Sequence, residues 1–188
     1  MVWQSDFTYV ETAEGWLYLA FTLDACTRRC VAHHCRADMR GELTTTTLAL
    51  ALQRHPPPPG LLHHSDRGSQ YAAADFARLA AANGITLSMS RTANPYDNAL
   101  AERLPGTAVP ALRAACGRLS RSARLVATLK AECFADAIPP TRAAAELMAF
   151  DYIETFYNSR RRHSSLGQRS PRDFESLMFP HNQNHTTN

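Results

Sequence analysis

An α/β fold, a mixed sheet with helices packed on it, is predicted by three features of this 188-residue sequence. Three aromatic and β-branched runs with short spacers open the chain. Helical and strand-like segments then alternate as far as residue 90. The remainder is helical in pattern, with its clearest apolar periodicity over residues 141–160.

Each element has its own reason. Residues 2–10, VWQSDFTYV, read as a strand because aromatic and β-branched side chains suit a pleated surface. Residues 16–24, WLYLAFTLD, are almost continuously apolar and predict a strand buried on both faces. Residues 28–37, RRCVAHHCRA, predict a third strand. The spacers ETAEG and ACT are short, so the three strands are expected to form an antiparallel meander. Residues 41–54 predict a helix, and HPPPPG at 55–60 ends it because proline cannot continue a helix. Residues 61–64 predict a short strand that leads into SDRGSQY. Residues 72–83 are Ala-rich, with Phe76, Leu79 and Ala80 at helical spacing and Asn83-Gly84 as a stop. ITLSMS at 85–90 predicts another strand. Over 141–160 an amphipathic helix is expected, with Leu147, Phe150, Ile153, Phe156 and Tyr157 near one stripe. PHNQNHTTN at 180–188 is polar and expected to be disordered.

The length suits one domain with a real core. The apolar runs are short and interrupted, so no membrane span is expected. The N-terminus MVWQSDFTYV has neither a basic start nor a long apolar stretch, which favours a cytoplasmic location. The cysteines, Cys26, Cys30, Cys35, Cys116 and Cys133, are odd in number and lack a CxxC pair, so free thiols in a reducing compartment are expected. A zinc site built from Cys26, Cys30, His33, His34 and Cys35 is disfavoured, because neighbours along a strand point to opposite faces. The formal net charge of +3 is compatible with nucleic-acid binding without requiring it. Lys130 is the single lysine among twenty basic residues. Arginine suits phosphate contacts, but GC-rich coding explains the bias as a whole.

Three acidic residues stand out. Asp6 lies inside an aromatic strand, where aspartate is depleted. Asp66 follows the fourth strand. Glu102 lies in YDNALAER, where Asp97 can cap a helix that carries it. Singly, each has an ordinary reading: an arginine partner, a turn former and a solvated helix residue. Together they match a pattern. WQSDFTYV, GWLYLAFTLDACTRRCVA, LLHHSDRGSQYA, GITLSMSRTANPYDNALAER, LKAECF, YIETFYNSRRRHSSLG and SPRDFE occur in this order. In these segments the chain resembles the catalytic core of bacterial insertion-sequence transposases of the OrfB-like, retroviral-integrase (DDE) type. The 35 residues between Asp66 and Glu102 match the separation expected in that class.

The resemblance implies a ribonuclease-H-like fold, a mixed five-stranded sheet with helices on both faces. It implies that Asp6, Asp66 and Glu102 gather at one end of the sheet as catalytic residues and metal ligands. The implied activity is phosphodiester nicking and strand transfer, in DNA integration, recombination and transposition. Two Mg²⁺ ions roughly 3.5–4 Å apart serve such in-line displacements, and Mn²⁺ is expected to substitute. Mg²⁺ prefers hard oxygen ligands, hence carboxylates. In this assignment Asp6 bridges both ions, Asp66 holds one and Glu102 the other. Water attacks in nicking and a DNA 3′-hydroxyl in joining.

Supporting residues follow from the same resemblance. Arg67, Gly68 and Ser69 approach the DNA backbone. Arg91 and Asn94 lie near substrate in SRTANPYDN, where simple turn chemistry is the alternative. Lys130 is a phosphate candidate. Arg160, Arg161 and Arg162 in SRRRH either contact DNA phosphates or complement a helix dipole in solvent. His63 and His64 are expected to pack at a strand end. The expected partners are DNA (element ends and target), further copies of the chain assembled on DNA, and a separate helix-turn-helix subunit.

Two departures bear on activity. Residues 104–126, LPGTAVPALRAACGRLSRSARLV, stand where relatives run straight on from the glutamate helix into LKAE. Pro105 within a helix costs about 3 kcal/mol, so a break is expected there, with a fresh helix starting near Ala123. Glu132 is a substitute ligand only at the wrong spacing. The second departure is that the chain begins at the first core strand, without the helix-turn-helix material of relatives. The expected organisation is an integrase-like core over 1–175, interrupted by 104–126, and a polar tail over 176–188. The rivals are an inactive remnant, a DNA- or transposase-binding module without catalysis, and a host nuclease of the same fold.

Overall fold

The computed structural model describes residues 1–66, 68–89, 121–135 and 138–179. Among them a five-stranded sheet has the order β3-β2-β1-β4-β5. The expected meander is present. Strand β1 (Val2–Thr12) pairs antiparallel with β2 (Gly15–Asp24), and β2 pairs antiparallel with β3 (Cys30–Arg36). Helix α1 (Gly41–Arg54) then crosses over, so that β4 (Leu62–Ser65) runs parallel to β1. Helix α2 (Ala74–Ala82) makes the second crossover to β5 (Thr86–Met89), parallel to β4. Asn83 and Gly84, the latter at φ +65°, end α2 as the sequence predicts. No helix among the described residues is long and apolar enough to cross a membrane.

Alternation along the strands makes two cores. On one face Val10, Leu19, Phe21 and Leu23 meet α3 (Arg121–Cys133) and α4 (Arg142–Asp151) through Leu125, Leu129, Ala145 and Ala149. On the other face Trp3 and Val31 meet α1 and α2 through Leu48, Ala51, Phe76 and Ala80. The sheet is therefore sandwiched between helices, as the resemblance implies. The expected restart near Ala123 falls within α3.

Three expectations need correction. The third strand begins at Cys30 rather than residue 28, because Asp24 organises a tight turn. Its Oδ1 accepts from the amides of Cys26 (2.7 Å) and Thr27 (2.8 Å), its carbonyl accepts from the Arg28 amide, and Arg28 sits at φ +62°. The 141–160 stripe is also different. Ala145, Ala149, Tyr152, Ile153 and Tyr157 are buried, while Leu147, Phe150 and Phe156 are exposed. Small alanines let α4 approach the sheet. Beyond Asp151 the helix widens into a π-turn over Tyr152–Tyr157, with the Asn158 amide donating to the Ile153 carbonyl, which rotates the buried stripe. Finally, helix α5 (Pro171–Met178) carries ordered chain past residue 175, with Ser170 as its cap.

The motif YNSRRRHSSLG has a structural task. Buried Asn158 accepts from the Cys30 amide (2.9 Å) and donates to the Cys30 carbonyl (3.0 Å), extending the hydrogen bonding of edge strand β3. A turn then folds back through Gly167 at φ +63°, and the His163 amide donates to the Arg169 carbonyl. The 159–168 segment is thereby fixed beside α3.

Candidate active site

Strands β1 and β4 are adjacent and parallel, so residues on one and just beyond the other share an end of the sheet. Asp6 is on β1, partly buried, on the face covered by α3. Asp66 follows β4 and is exposed. The two carboxylates are close enough to repel. Burial raises the Asp6 carboxyl above its ordinary value, and the charge of Asp66 adds to that rise. The Phe7 amide, 2.9 Å from Oδ1, and the Ser122 hydroxyl of α3 donate to Asp6 and oppose it.

The loop after β4 is built to present Asp66. The Gly68 amide donates to its Oδ1 at 3.0 Å, and Gly68 receives the amides of Tyr71 and Ala72 on its carbonyl. A Cβ at Gly68 would lie 2.6 Å from Gln70 Oε1 and 3.1 Å from Asp66 Oδ1, so a side chain here would displace the Gln70 amide and crowd Asp66. Thr44 of α1 donates to the Gln70 carbonyl at 3.0 Å and ties the loop to the other layer.

Beneath the pair lies a buried aromatic layer. His63 and Tyr71 pack with Phe76. Burial, helped by His64, lowers the His63 imidazole to about 4, so it is neutral and hydrogen-bonded to Ser5 (2.7 Å). His63 is thus a packing residue within the strand. The Tyr71 hydroxyl is buried with no hydrogen-bond partner among the described residues. Burial pushes its pKa well up, and the charges of Asp6 and Asp66 push it further.

The donor set suits a hard divalent cation. Two carboxylates that repel each other gain from a shared positive charge, and an orphaned phenol oxygen stands in their field. Among the described residues no cluster of three or more His, Cys, Asp or Glu side chains is present. The third expected ligand, Glu102, lies outside the described residues, as do Arg67, Arg91, Asn94 and most of the 104–126 block.

The remaining predicted residues sit apart from the carboxylate pair. Lys130 stacks over the Tyr9 ring, 4.6 Å from its centroid. It is eight residues beyond Ser122 on α3, about 12 Å along the helix axis. Arg161 grips Glu132 through two nitrogens, at 2.8 and 3.1 Å, and Tyr152 donates to the same carboxylate. Glu132 is therefore held below the ordinary carboxylate range by Arg161 and is engaged away from Asp6. Arg160 and Arg162 are exposed. Ser122 was not legible as a site residue, because it lies in the block that reads as an insertion.

A family model described as an integrase core domain matches residues 1–95, and a second of the same description matches residues 127–179. The chain belongs to the integrase core domain family. An uncharacterized 31 kDa protein of insertion element IS600 from Shigella sonnei is 42% identical over 173 residues, covering 92% of this chain and 56% of that protein. The transposase for insertion sequence element IS904 of Lactococcus lactis is 38% identical over 174 residues, covering 93% and 60%. The chain thus spans a little over half the length of these relatives. The fold is ribonuclease-H-like. A simian T-cell lymphotropic virus intasome chain superposes with a TM-score of 0.61 at 16% identity, covering 92% of this chain and 53% of that one. The catalytic core of HTLV-2 integrase in complex with magnesium does so at 0.55 and 13%, covering 92% and 94%.

Proposed function

We propose that this chain is the catalytic core of an insertion-sequence transposase that nicks and joins DNA, with divalent cations held by Asp6 and Asp66. Glu102 is the third ligand by resemblance. The observation that supports this most directly is that Asp66, just past the end of β4, lies beside Asp6 on the adjacent parallel strand β1, where its charge adds to the rise in the Asp6 carboxyl. Bound Mg²⁺, or Mn²⁺ in its place, would supply Lewis acidity at the phosphate and an activated attacking oxygen.

The chain's own residues orient the carboxylates. The Phe7 amide and Ser122 hydroxyl fix Asp6, and the Gly68 amide fixes Asp66. Both carboxylates are therefore set before substrate arrives, which limits reorganisation during reaction. The DNA partner, the assembly of several copies on DNA and an integrase-like core over 1–175 belong to the same proposal.

Metal-dependent nicking of supercoiled plasmid tests it. This chain should nick with Mg²⁺ or Mn²⁺, and Asp66→Asn should not. Equal nicking by both would overturn the proposal. One observation favours a second reading, a DNA-binding remnant without catalysis: the α3 side chain that reaches Asp6 is Ser122, a hydroxyl rather than a carboxylate. If only a version with residues 104–126 replaced by two phenylalanines nicks, that second reading holds.

A further inference from the structure

Helix α3 also borders a groove of about 480 Å³. Its walls come from three separate segments. Arg28 projects from the Asp24 turn, Arg121 and Arg124 from the first turn of α3, and Arg161 and Arg162 from the folded-back motif. Small-molecule pockets of this size are lined mainly by apolar side chains, whereas this one concentrates guanidiniums. Arg161 is neutralised by Glu132. Arg28, Arg121, Arg124 and Arg162 have no carboxylate partner among the described residues, and Arg121 donates to the Ala25 carbonyl.

The crowding is enforced by the backbone. Arg28 holds φ +62°, a conformation that a non-glycine residue rarely adopts. Burial lowers the Arg28 guanidinium's proton affinity, and the charges of Arg121 and Arg124 lower it further. Like charges gathered this way are relieved by a bound polyanion. We propose that this groove binds the phosphodiester backbone of DNA, with Arg28, Arg121, Arg124 and Arg162 as the phosphate-contacting residues. Guanidinium forks match phosphate oxygens in pairs. Arg121 is the chain neighbour of Ser122, so one turn of α3 carries both a wall of the groove and the Asp6 contact, and a strand in the groove would run towards the Asp6–Asp66 pair. This placement rests on the catalytic proposal; binding in the groove does not need catalysis. Arg121 and Arg124 come from the block that reads as an insertion, which thereby gains a role.

The test is binding of the full chain to a fluorescein-labelled 30-base-pair duplex in EDTA, measured against salt. EDTA and an Asp66→Asn background separate groove binding from metal chemistry. Arg28→Gly keeps the left-handed turn and removes one charge. Arg124→Gln/Arg162→Gln removes two. The log–log salt slope should fall by about 1 for each arginine lost, and the double variant should bind at least roughly tenfold more weakly. Glu132→Gln frees Arg161 and should bind more tightly with a steeper slope, a gain that misfolding cannot produce. Polyglutamate of equal charge should compete poorly, since it lacks the phosphodiester repeat. Unchanged slopes in Arg28→Gly and the double variant would overturn the proposal. So would displacement of DNA by polyglutamate at equal charge, which would assign the groove to acidic peptides. Loss of nicking in Asp66→Asn with groove binding intact would separate the two proposals.

Discussion

The carboxylate pair and the arginine groove flank the same turn of α3, and they face opposite charge problems. On one side Ser122 donates to Asp6, whose charge is disfavoured by burial and by Asp66. On the other side Arg28 is disfavoured by burial and by Arg121 and Arg124. In each region the fold holds like charges together against their repulsion. The acidic side gains from a cation and the basic side from a polyanion. Under the proposed function the two regions would serve one substrate, a polyanion that must meet a metal. The difference lies in support. Asp66 and Asp6 are each fixed by backbone amides, whereas the arginines are long side chains ordered by one strained turn and one folded-back motif.

The comparison breaks most sharply at the carboxylates. Asp6→Asn and Asp66→Asn should each lower metal-dependent nicking about a thousandfold, corresponding to roughly 4 kcal/mol of lost transition-state stabilisation. Plasmid-nicking rates check this. DNA binding in EDTA should persist in both, because the groove is untouched. Asp6→Asn should also raise the melting temperature of the metal-free protein by about 2 °C, since it removes a disfavoured buried charge.

Acid pH acts on both regions through buried imidazoles. His63 lies beneath the carboxylates and His163 lines the groove; burial lowers each to about 4. A base with a depressed folded pKa contributes stability that is present above its unfolded value, near 6.5, and is lost as pH falls towards 4. His63 alone should remove roughly 2 kcal/mol between pH 7.5 and pH 5. Denaturant melts across that range check it, and His63→Leu should flatten the acid limb. Asp6 works the other way. Its raised value means that the native state binds the proton more tightly, so this group adds stability as pH falls through its folded value.

Smaller changes sharpen the picture. Gly68→Ala drives a methyl towards Gln70 and Asp66 and should slow nicking about tenfold while leaving groove binding intact. Ser122→Ala removes one donor to Asp6 and should raise its pKa further, slowing nicking roughly threefold at neutral pH. The pH–rate profile should shift upward in that variant, which loss of helix packing alone would not produce.

Much of this was legible in sequence because the pattern was local. Strands β1 to β3 and helix α1 announced themselves by residue type, spacer length and the proline run after residue 54. Asp6 was conspicuous as an aspartate among aromatics, and Asp66 as a charge at a strand end. Arg161 and Arg162 were legible as phosphate candidates in SRRRH, but the groove they help to form was not, for three physical reasons. Arg28 depends on a turn set by Asp24, which its neighbours' strand propensity conceals. Arg121 and Arg124 stand in a block whose composition says nothing of where it docks. Arg162 becomes a wall only because Asn158 pins the motif to β3. The 141–160 stripe was misplaced because small alanines, Ala145 and Ala149, face the sheet in α4 while larger side chains point out, and because beyond Asp151 a π-turn breaks the 3.6-residue period on which such stripes are read.

The most direct test of the central claim is Mn²⁺ binding without DNA, followed by the electron paramagnetic resonance signal of the free ion. The wild-type chain should bind Mn²⁺, and Asp6→Asn and Asp66→Asn should each weaken binding at least roughly tenfold. Equal Mn²⁺ affinity in all three proteins would contradict the assignment of Asp6 and Asp66 as ligands of a common site.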